Sequence, residues 1–163
     1  MELFKAYYKS PLGLLQLTGN QYSLTGIHFV EDVSQYPVDP LPPPLEAAVR
    51  WLDAYFANNK PLPDLLPLQP SGTPFQQDVW EQIQQIPYGQ TITYGQIAVN
   101  VAKKRGVPHM SAQAVGQAAG ANPIPIIIPC HRVIGTNGKI TGYVGGILRK
   151  MQLLEHEQAT KQK

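Results

Sequence analysis

Five of the eight residues from Pro37 to Pro44 are proline, and four more fall between Pro61 and Pro70. Proline fixes its own φ, has no amide hydrogen to donate, and pushes the residue before it out of the helical region. The first cluster therefore reads as an extended connector, neither helix nor central strand. The second marks the natural boundary between residues 1–70 and residues 71–163. A chain of 163 residues can build its core without staples. Its single cysteine, Cys130, excludes an internal disulfide framework and any zinc site with two or more cysteines. The first residues hold no apolar stretch of signal-peptide length, and nothing approaches the ~18 apolar residues of a membrane helix. The expectation is a soluble, cytoplasmic protein with no membrane partner.

Periodicity divides along the same line. Leu15 and Leu17 alternate with Gln16 and Thr18, Gly19-Asn20 punctuates, and Tyr22 to Phe29 resumes with β-formers. That predicts a hairpin or meander over residues 3–30. Leu45, Val49, Leu52 and Phe56 then recur at helical spacing. Beyond residue 71 the signals are helical. Thr73 with Gln76 forms a capping box ahead of Pro74, and Phe75, Val79, Ile83 and Ile86 trace a buried stripe up to Pro87-Tyr88-Gly89. Thr93 with Gln96 reads as a second capping box, opening a helix through Val101 that Gly106-Val107-Pro108 breaks. Ser111 is an N-cap for a short helix, Ala112 to Ala119, ended by Gly120. Asn137-Gly138 is a tight turn, and Ile147, Leu148, Met151 and Leu154 stripe a last helix. The fold class is α+β in two parts.

Charge is uneven. Residues 1–70 carry four Lys or Arg against seven Asp or Glu, net −3; residues 71–163 carry nine against four, net +5. A basic carboxy-terminal part suits a polyanionic partner, or is simply a solvated face. Two short helices joined by a turn fit a helix-turn-helix with Ala112–Ala119 as the groove-entering element, although the connecting loop is long for that motif. The small residues Ser111, Ala112, Ala114 and Gly116 would let a partner's backbone come close, or let another helix pack tightly.

The most informative segment is Pro129-Cys130-His131-Arg132. A thiol becomes a strong nucleophile only as the thiolate, and an imidazole or a nearby cation promotes that ionisation. Residues adjacent in sequence need not touch side chain to side chain, so a bridging water or a special turn is required. A lone cysteine is more often a buried hydrophobe than a nucleophile. The residues by themselves leave both readings open.

The run Asn-Pro-Ile-Pro-Ile-Ile-Ile-Pro-Cys-His-Arg-Val-Ile-Gly (122–135) closely resembles the active-site segment of O6-alkylguanine-DNA alkyltransferases. The resemblance extends over most of residues 73–157, through Pro87-Tyr88-Gly89, Thr93-Tyr94-Gly95, Ala114-Val115-Gly116, Gly142-Tyr143 with Gly145-Gly146, and Leu153-Leu154-Glu155-His156-Glu157. It implies a small amino-terminal α/β, RNase H-like support domain (1–70) and a mainly helical, winged-helix-like DNA-binding and alkyl-transfer domain (71–163). Cys130 would attack the alkyl carbon on guanine O6, with His131 as base through a water, Glu157 orienting His131, Asn122 holding the turn, and Tyr94 donating a proton to the leaving purine. Pro125, Tyr143 and Val144 would line the pocket, and the carbonyls of Cys130 and Val133 would accept from the guanine amine. Ser111, Ala112, Gln113, Ala114, Gly116 and Arg132 would meet DNA, with the target base extruded from the duplex. Gln113 stands where the family usually offers an arginine to fill the gap in the stack. Lys103, Lys104 and Arg105 fall in a longer, basic insert, Ala102 to Met110, that would restore phosphate affinity or is simply a solvated loop. The thioether product cannot be hydrolysed back, so the protein would react once, as a monomer on double-stranded DNA bearing O6-alkylguanine, with no metal and no cofactor. Two other readings remain at this point: a binding module of the same fold that accepts no alkyl group, which Cys130 disfavours, and an unrelated cysteine hydrolase.

Overall fold

The computed structural model describes residues 2–33 and 40–161, with side chains as far as Gln158. Residues 37–39 of the first proline cluster lie outside this set. The chain falls into two compact units, Met1–Ser71 and Gly72–Lys163, the first built on a small sheet and the second mainly helical.

In the first unit, β1 (Phe4–Ser10), β2 (Gly13–Gly19) and β3 (Leu24–Val30) form the expected antiparallel meander in sequential order. Asn20 Oδ1 accepts from the amides of Tyr22 and Ser23 at 2.7 and 2.9 Å, which turns the chain between β2 and β3. Gly19 is needed there, because a Cβ would stand 2.6 Å from the Ser23 carbonyl oxygen. Helix α1 (Pro43–Phe56) corrects the first proline reading, since Pro43 and Pro44 are its opening residues. The first amides of a helix have no intrahelical acceptor, so proline loses nothing there. Its buried face is Leu45, Ala48, Trp51, Leu52 and Tyr55. Val49 and Phe56 sit at the margin of that face, only partly covered. The second proline stretch is more than a boundary. Leu24 donates to the Pro67 carbonyl at 2.8 Å and Gln69 donates to the Leu24 carbonyl at 2.9 Å, so the segment pairs alongside the start of β3.

The second unit contains α2 (Pro74–Gln84), β4 (Ile92–Thr93), α3 (Tyr94–Arg105), α4 (Ala112–Gly120), β5 (Val133–Ile134) and α5 (Ile147–Lys161). The capping box at Thr73 is complete, with both reciprocal hydrogen bonds made. At Thr93 only half forms. Thr93 Oγ1 accepts from the Gln96 amide at 3.1 Å, while the Gln96 side chain turns to Asn100. Trp80 is buried and donates Nε1–H to the Ala118 carbonyl at 2.8 Å, tying α2 to α4. Helix α3 runs further than the sequence suggested, because Gly106 at φ 68° supplies a left-handed cap after Arg105. Lys103, Lys104 and Arg105 are therefore its last turn, where cations complement the helix dipole, and not part of a loop.

Two features were not foreseen. The first is the parallel pairing of β4 with β5, Ile92 beside Val133, which brings the start of α3 next to the residues that follow Cys130. The second is the orientation of α5. Ile147, Leu148 and Met151 are 49, 67 and 50 % exposed, whereas Lys150, Leu153 and Glu157 are buried. The spacing i, i+3, i+7 was present, but two of its three members are charged. No described helix is long and apolar enough to cross a membrane.

Candidate active site

Residues 122–130 loop back on themselves, and one side chain closes the loop. Asn122 Oδ1 accepts from the Ile124 amide at 3.0 Å. Its Nδ2 donates to the Ile128 carbonyl at 2.8 Å and to Cys130 Sγ at 3.1 Å. Within the loop Ile126 has φ 75°, a region that β-branched residues avoid. Its fully buried side chain and the Ile128 to Ile124 hydrogen bond hold it there. Strain of this kind, maintained by the surrounding packing, is frequent at functional turns. The loop ends in a single 3-10 turn, Cys130–Arg132. Cys130 is 4 % exposed and reaches a cleft of about 680 Å³, whose walls include Tyr94, Gly95, Ala112, Gln113, Gly116, Thr141, Tyr143 and Val144.

Behind the cysteine lies a buried charge network. His131 Nε2 and Glu157 Oε2 are 2.6 Å apart. Arg132 grips the same carboxylate with Nε to Oε1 at 2.8 Å and Nη2 to Oε2 at 3.0 Å, and the Gly89 amide donates to Oε1 at 3.1 Å. Burial acts to raise the Glu157 carboxyl, but the hydrogen bonds and charges of His131 and Arg132 overcome it and hold it well below the usual carboxylate range. An ionised carboxylate only accepts, so His131 Nε2 carries the proton. Burial also holds the His131 imidazole below its ordinary value despite the Glu157 charge, so it is neutral near pH 7. The other nitrogen, Nδ1, is then a bare acceptor, buried and without a hydrogen-bond partner among the described residues. Burial pushes the Cys130 thiol up to about 11, against the opposing pull of Asn122 and Lys150. The resting sulfur is thus a neutral thiol.

Beneath the cleft-lining residues Tyr94 and Gly142 is a second polar group that the sequence did not flag. Lys150 is fully buried, and its Nζ donates to the Val133 carbonyl at 2.7 Å, to Tyr94 Oη at 3.3 Å and to the Gly142 carbonyl at 3.4 Å. Tyr94 Oη also lies 2.7 Å from Thr141 Oγ1. The available signal was a polar pair, Lys150 and Glu157, at core spacing around Leu153.

The structure brings Cys130, His131, Glu157 and Asn122 together, and places Tyr94, Tyr143, Val144, Ala112, Gln113 and Gly116 on the cleft. The expected placement of Arg132 and of Pro125 needs correction. Arg132 does not face outward to DNA. Its guanidinium is held by Glu157 and by the Ile86 carbonyl at 2.7 Å, and the residue is 5 % exposed. Pro125 is buried in the folded-back loop and does not line the cleft. The Val133 side chain is buried, and its carbonyl accepts from Lys150 with a second lone pair left for another donor. The Cys130 carbonyl accepts from the Val133 amide. Ser111 is exposed and caps α4, accepting from the Ala114 amide at 3.1 Å, and both residues lie outside the cleft wall. Lys104 bonds Asp78 at 3.0 Å and also Glu81, and Arg105 bonds Asp78 at 2.9 Å. Their charge is partly answered within the protein.

Residues 74–159 match the family described as 6-O-methylguanine DNA methyltransferase, DNA binding domain, and residues 3–70 match its ribonuclease-like domain. A methylated-DNA–protein-cysteine methyltransferase of Mycobacterium tuberculosis is 46 % identical over 153 residues, covering 92 % of this chain and 89 % of that protein. Its counterpart in Methanosarcina acetivorans is 40 % identical over 159 residues, covering 95 % and 98 %. The crystal structure of the M. tuberculosis O6-methylguanine methyltransferase superposes with a TM-score of 0.81 at 41 % identity, over 97 % of this chain and 94 % of that one. The M. tuberculosis OGT solved in complex with DNA gives 0.76 at 42 % identity, over 94 % and 91 %. With both of its parts matched, the chain belongs to the 6-O-methylguanine DNA methyltransferase family.

Proposed function

We propose that this protein repairs DNA by direct reversal, moving the alkyl group from O6 of a guanine in double-stranded DNA onto its own Cys130, once per molecule. The observation that carries the reading is the held sulfur, next in sequence to a histidine that a buried carboxylate fixes. Asn122 donates to Sγ, and the neighbouring His131 is fixed by Glu157 with its one bare nitrogen unused. A base so oriented accepts the thiol proton through a bridging water. The thiolate then attacks the alkyl carbon, the carbon–O6 bond breaks with its electron pair left on the purine, and Tyr94 donates a proton to that purine. Because the resting thiol is neutral and almost sealed, it stays inert until a base fills the cleft. Guanine O6 is unreachable inside a duplex, so the nucleotide is extruded into the cleft. Gln113, exposed on the cleft rim at the start of α4, then occupies the gap in the stack. One chain supplies every group, which supports a monomer, and cytoplasmic location follows from the same reading.

The test is an intact-mass measurement after incubation with duplex carrying O6-methylguanine. One CH2 should be gained per chain, on Cys130, and Cys130→Ala should gain none. Turnover with no mass gain would favour a hydrolase, and binding with neither would favour a recognition module.

A second expectation concerns the basic turn of α3. Among the described residues Lys103 has no acidic partner, whereas Lys104 and Arg105 do. Lys103→Ala should flatten the slope of log K for duplex binding against log salt by about 0.9, the value for one phosphate contact. Lys104→Ala and Arg105→Ala should each change it by less than half as much. Equal slope changes in all three variants would show that the ion pairs yield to DNA.

A further inference from the structure

From the contacts of Tyr94, we infer that Thr141 is a positioning residue for alkyl transfer: its hydroxyl donates to Tyr94 Oη, so that the phenolic proton is aimed into the cleft. The inference rests on the reading of Tyr94 as the proton donor to the departing purine. A phenol oxygen has two acceptor sites and one hydrogen. Lys150 has three N–H groups and three acceptors within reach, the Val133 and Gly142 carbonyls and Tyr94 Oη. One acceptor site of Tyr94 is therefore filled by an ammonium hydrogen. The 2.7 Å contact between Tyr94 Oη and Thr141 Oγ1 can run in either direction. If Tyr94 donates, its only hydrogen is spent on Thr141 and none is left for the purine. If Thr141 donates, both acceptor sites of Tyr94 are filled and its hydrogen has no competing partner.

The second arrangement also answers the charge that transfer creates. As the sulfur–carbon bond forms, the carbon–O6 bond breaks and its electrons remain on the purine. The purine takes the phenolic proton, and the negative charge passes to Tyr94 Oη. That oxygen then has two donors already in place, the Lys150 ammonium and the Thr141 hydroxyl. Hydrogen bonds to a charged oxygen are roughly twice as strong as neutral ones, so Thr141 stabilises the late state more than the resting one. Thr141 also lines the cleft, and its γ-methyl lies near Gly135, where a Cβ would stand 3.4 Å away. The hydroxyl is thereby held on the Tyr94 side.

Single-turnover transfer from O6-methylguanine duplex, measured across DNA concentrations in a two-by-two set of variants, tests this. Thr141→Val keeps the shape and removes the hydroxyl. It should lower the limiting rate about 10-fold or more, the loss expected for a hydrogen bond to a charged group. The half-saturating DNA concentration should stay within about 2-fold, because the bond strengthens only after binding. Thr141→Ser, which keeps the hydroxyl, should recover the rate to within about 3-fold. In a Tyr94→Phe background, Thr141→Val should have no further effect, because the two side chains act as one unit. A purely structural role would slow transfer equally in both backgrounds and would overturn the inference, as would a silent Thr141→Val beside a slow Tyr94→Phe. A fast Tyr94→Phe overturns it by removing its premise, while wild-type protein that gains no mass overturns the proposed function as well.

Discussion

Glu157→Gln should lose about 3–5 kcal/mol of folding stability, the cost of leaving a buried charge without its partner, and should transfer the methyl group at least ~100-fold more slowly. The substitution barely changes volume, so the loss is electrical. Donors converge on the carboxylate from His131 Nε2, from Arg132 Nε and Nη2, and from the Gly89 amide. An amide replaces one acceptor oxygen by an NH2 group and removes the charge that Arg132 was buried against. With it goes the acceptor that kept the His131 proton on Nε2. Urea unfolding followed by circular dichroism, beside a single-turnover assay, measures both losses. An unchanged urea midpoint would mean that Arg132 finds another acceptor and that the network is not what anchors α5.

The sign of the pH dependence follows. Glu157 has its folded pKa lowered, so its contribution is complete above the unfolded value near 4.3 and is lost as pH falls towards the folded one. The gap between wild type and Glu157→Gln should therefore close below about pH 4. His131 is also lowered, by burial, so the unfolded chain binds its proton first and stability begins to erode below about pH 6.5. The transfer rate should fall on the acid side for the same reason, with its midpoint below the ordinary histidine value.

What could be read in advance, and what could not, follows from the range of the interactions involved. The Thr73 cap needs only residues three apart, and the Asn137-Gly138 turn only its own dihedrals, with φ at 64° and 77°. Both were legible. So was the chemistry of the cysteine segment, since Asn122, Cys130 and His131 lie within ten positions and the family resemblance is concentrated there. Arg132 was misread because basic residues in a basic domain are assigned to the surface. Its partner is contributed from 25 positions away by the last helix. The α5 stripe failed for the same reason. An apolar pattern sends Lys150 and Glu157 to water, and nothing local shows that Val133, 17 residues before Lys150, or Gly89, 68 before Glu157, offers them a polar interior. Pairing of β4 with β5 is only two residues deep, too short for any alternation to register.

Lys150→Met should leave the protein folded and slow its chemistry. Methionine has nearly the same length and no charge, so it fills the same space on the buried face of α5. Among the described residues no acidic group pairs with Lys150; its partners are two carbonyls and a phenol. Removing a desolvated charge relieves several kcal/mol, while the acceptors left behind cost about 1–3 kcal/mol each. The two effects oppose each other, and the net change in stability should be under about 1.5 kcal/mol. Transfer has no such compensation. Tyr94 loses the cation that meets the charge on its oxygen after proton donation, and the Val133 and Gly142 carbonyls lose the donor that holds one to the other beside the cleft. A loss of about 100-fold in the limiting rate is expected, the scale seen when one donor is removed from a site of developing negative charge. Measured together, a stable but slow Lys150→Met would mean that this lysine is kept for the reaction. An unstable variant with an undiminished limiting rate would make it a structural clasp for the loop before α5, and Tyr94 would then have to work without a cation.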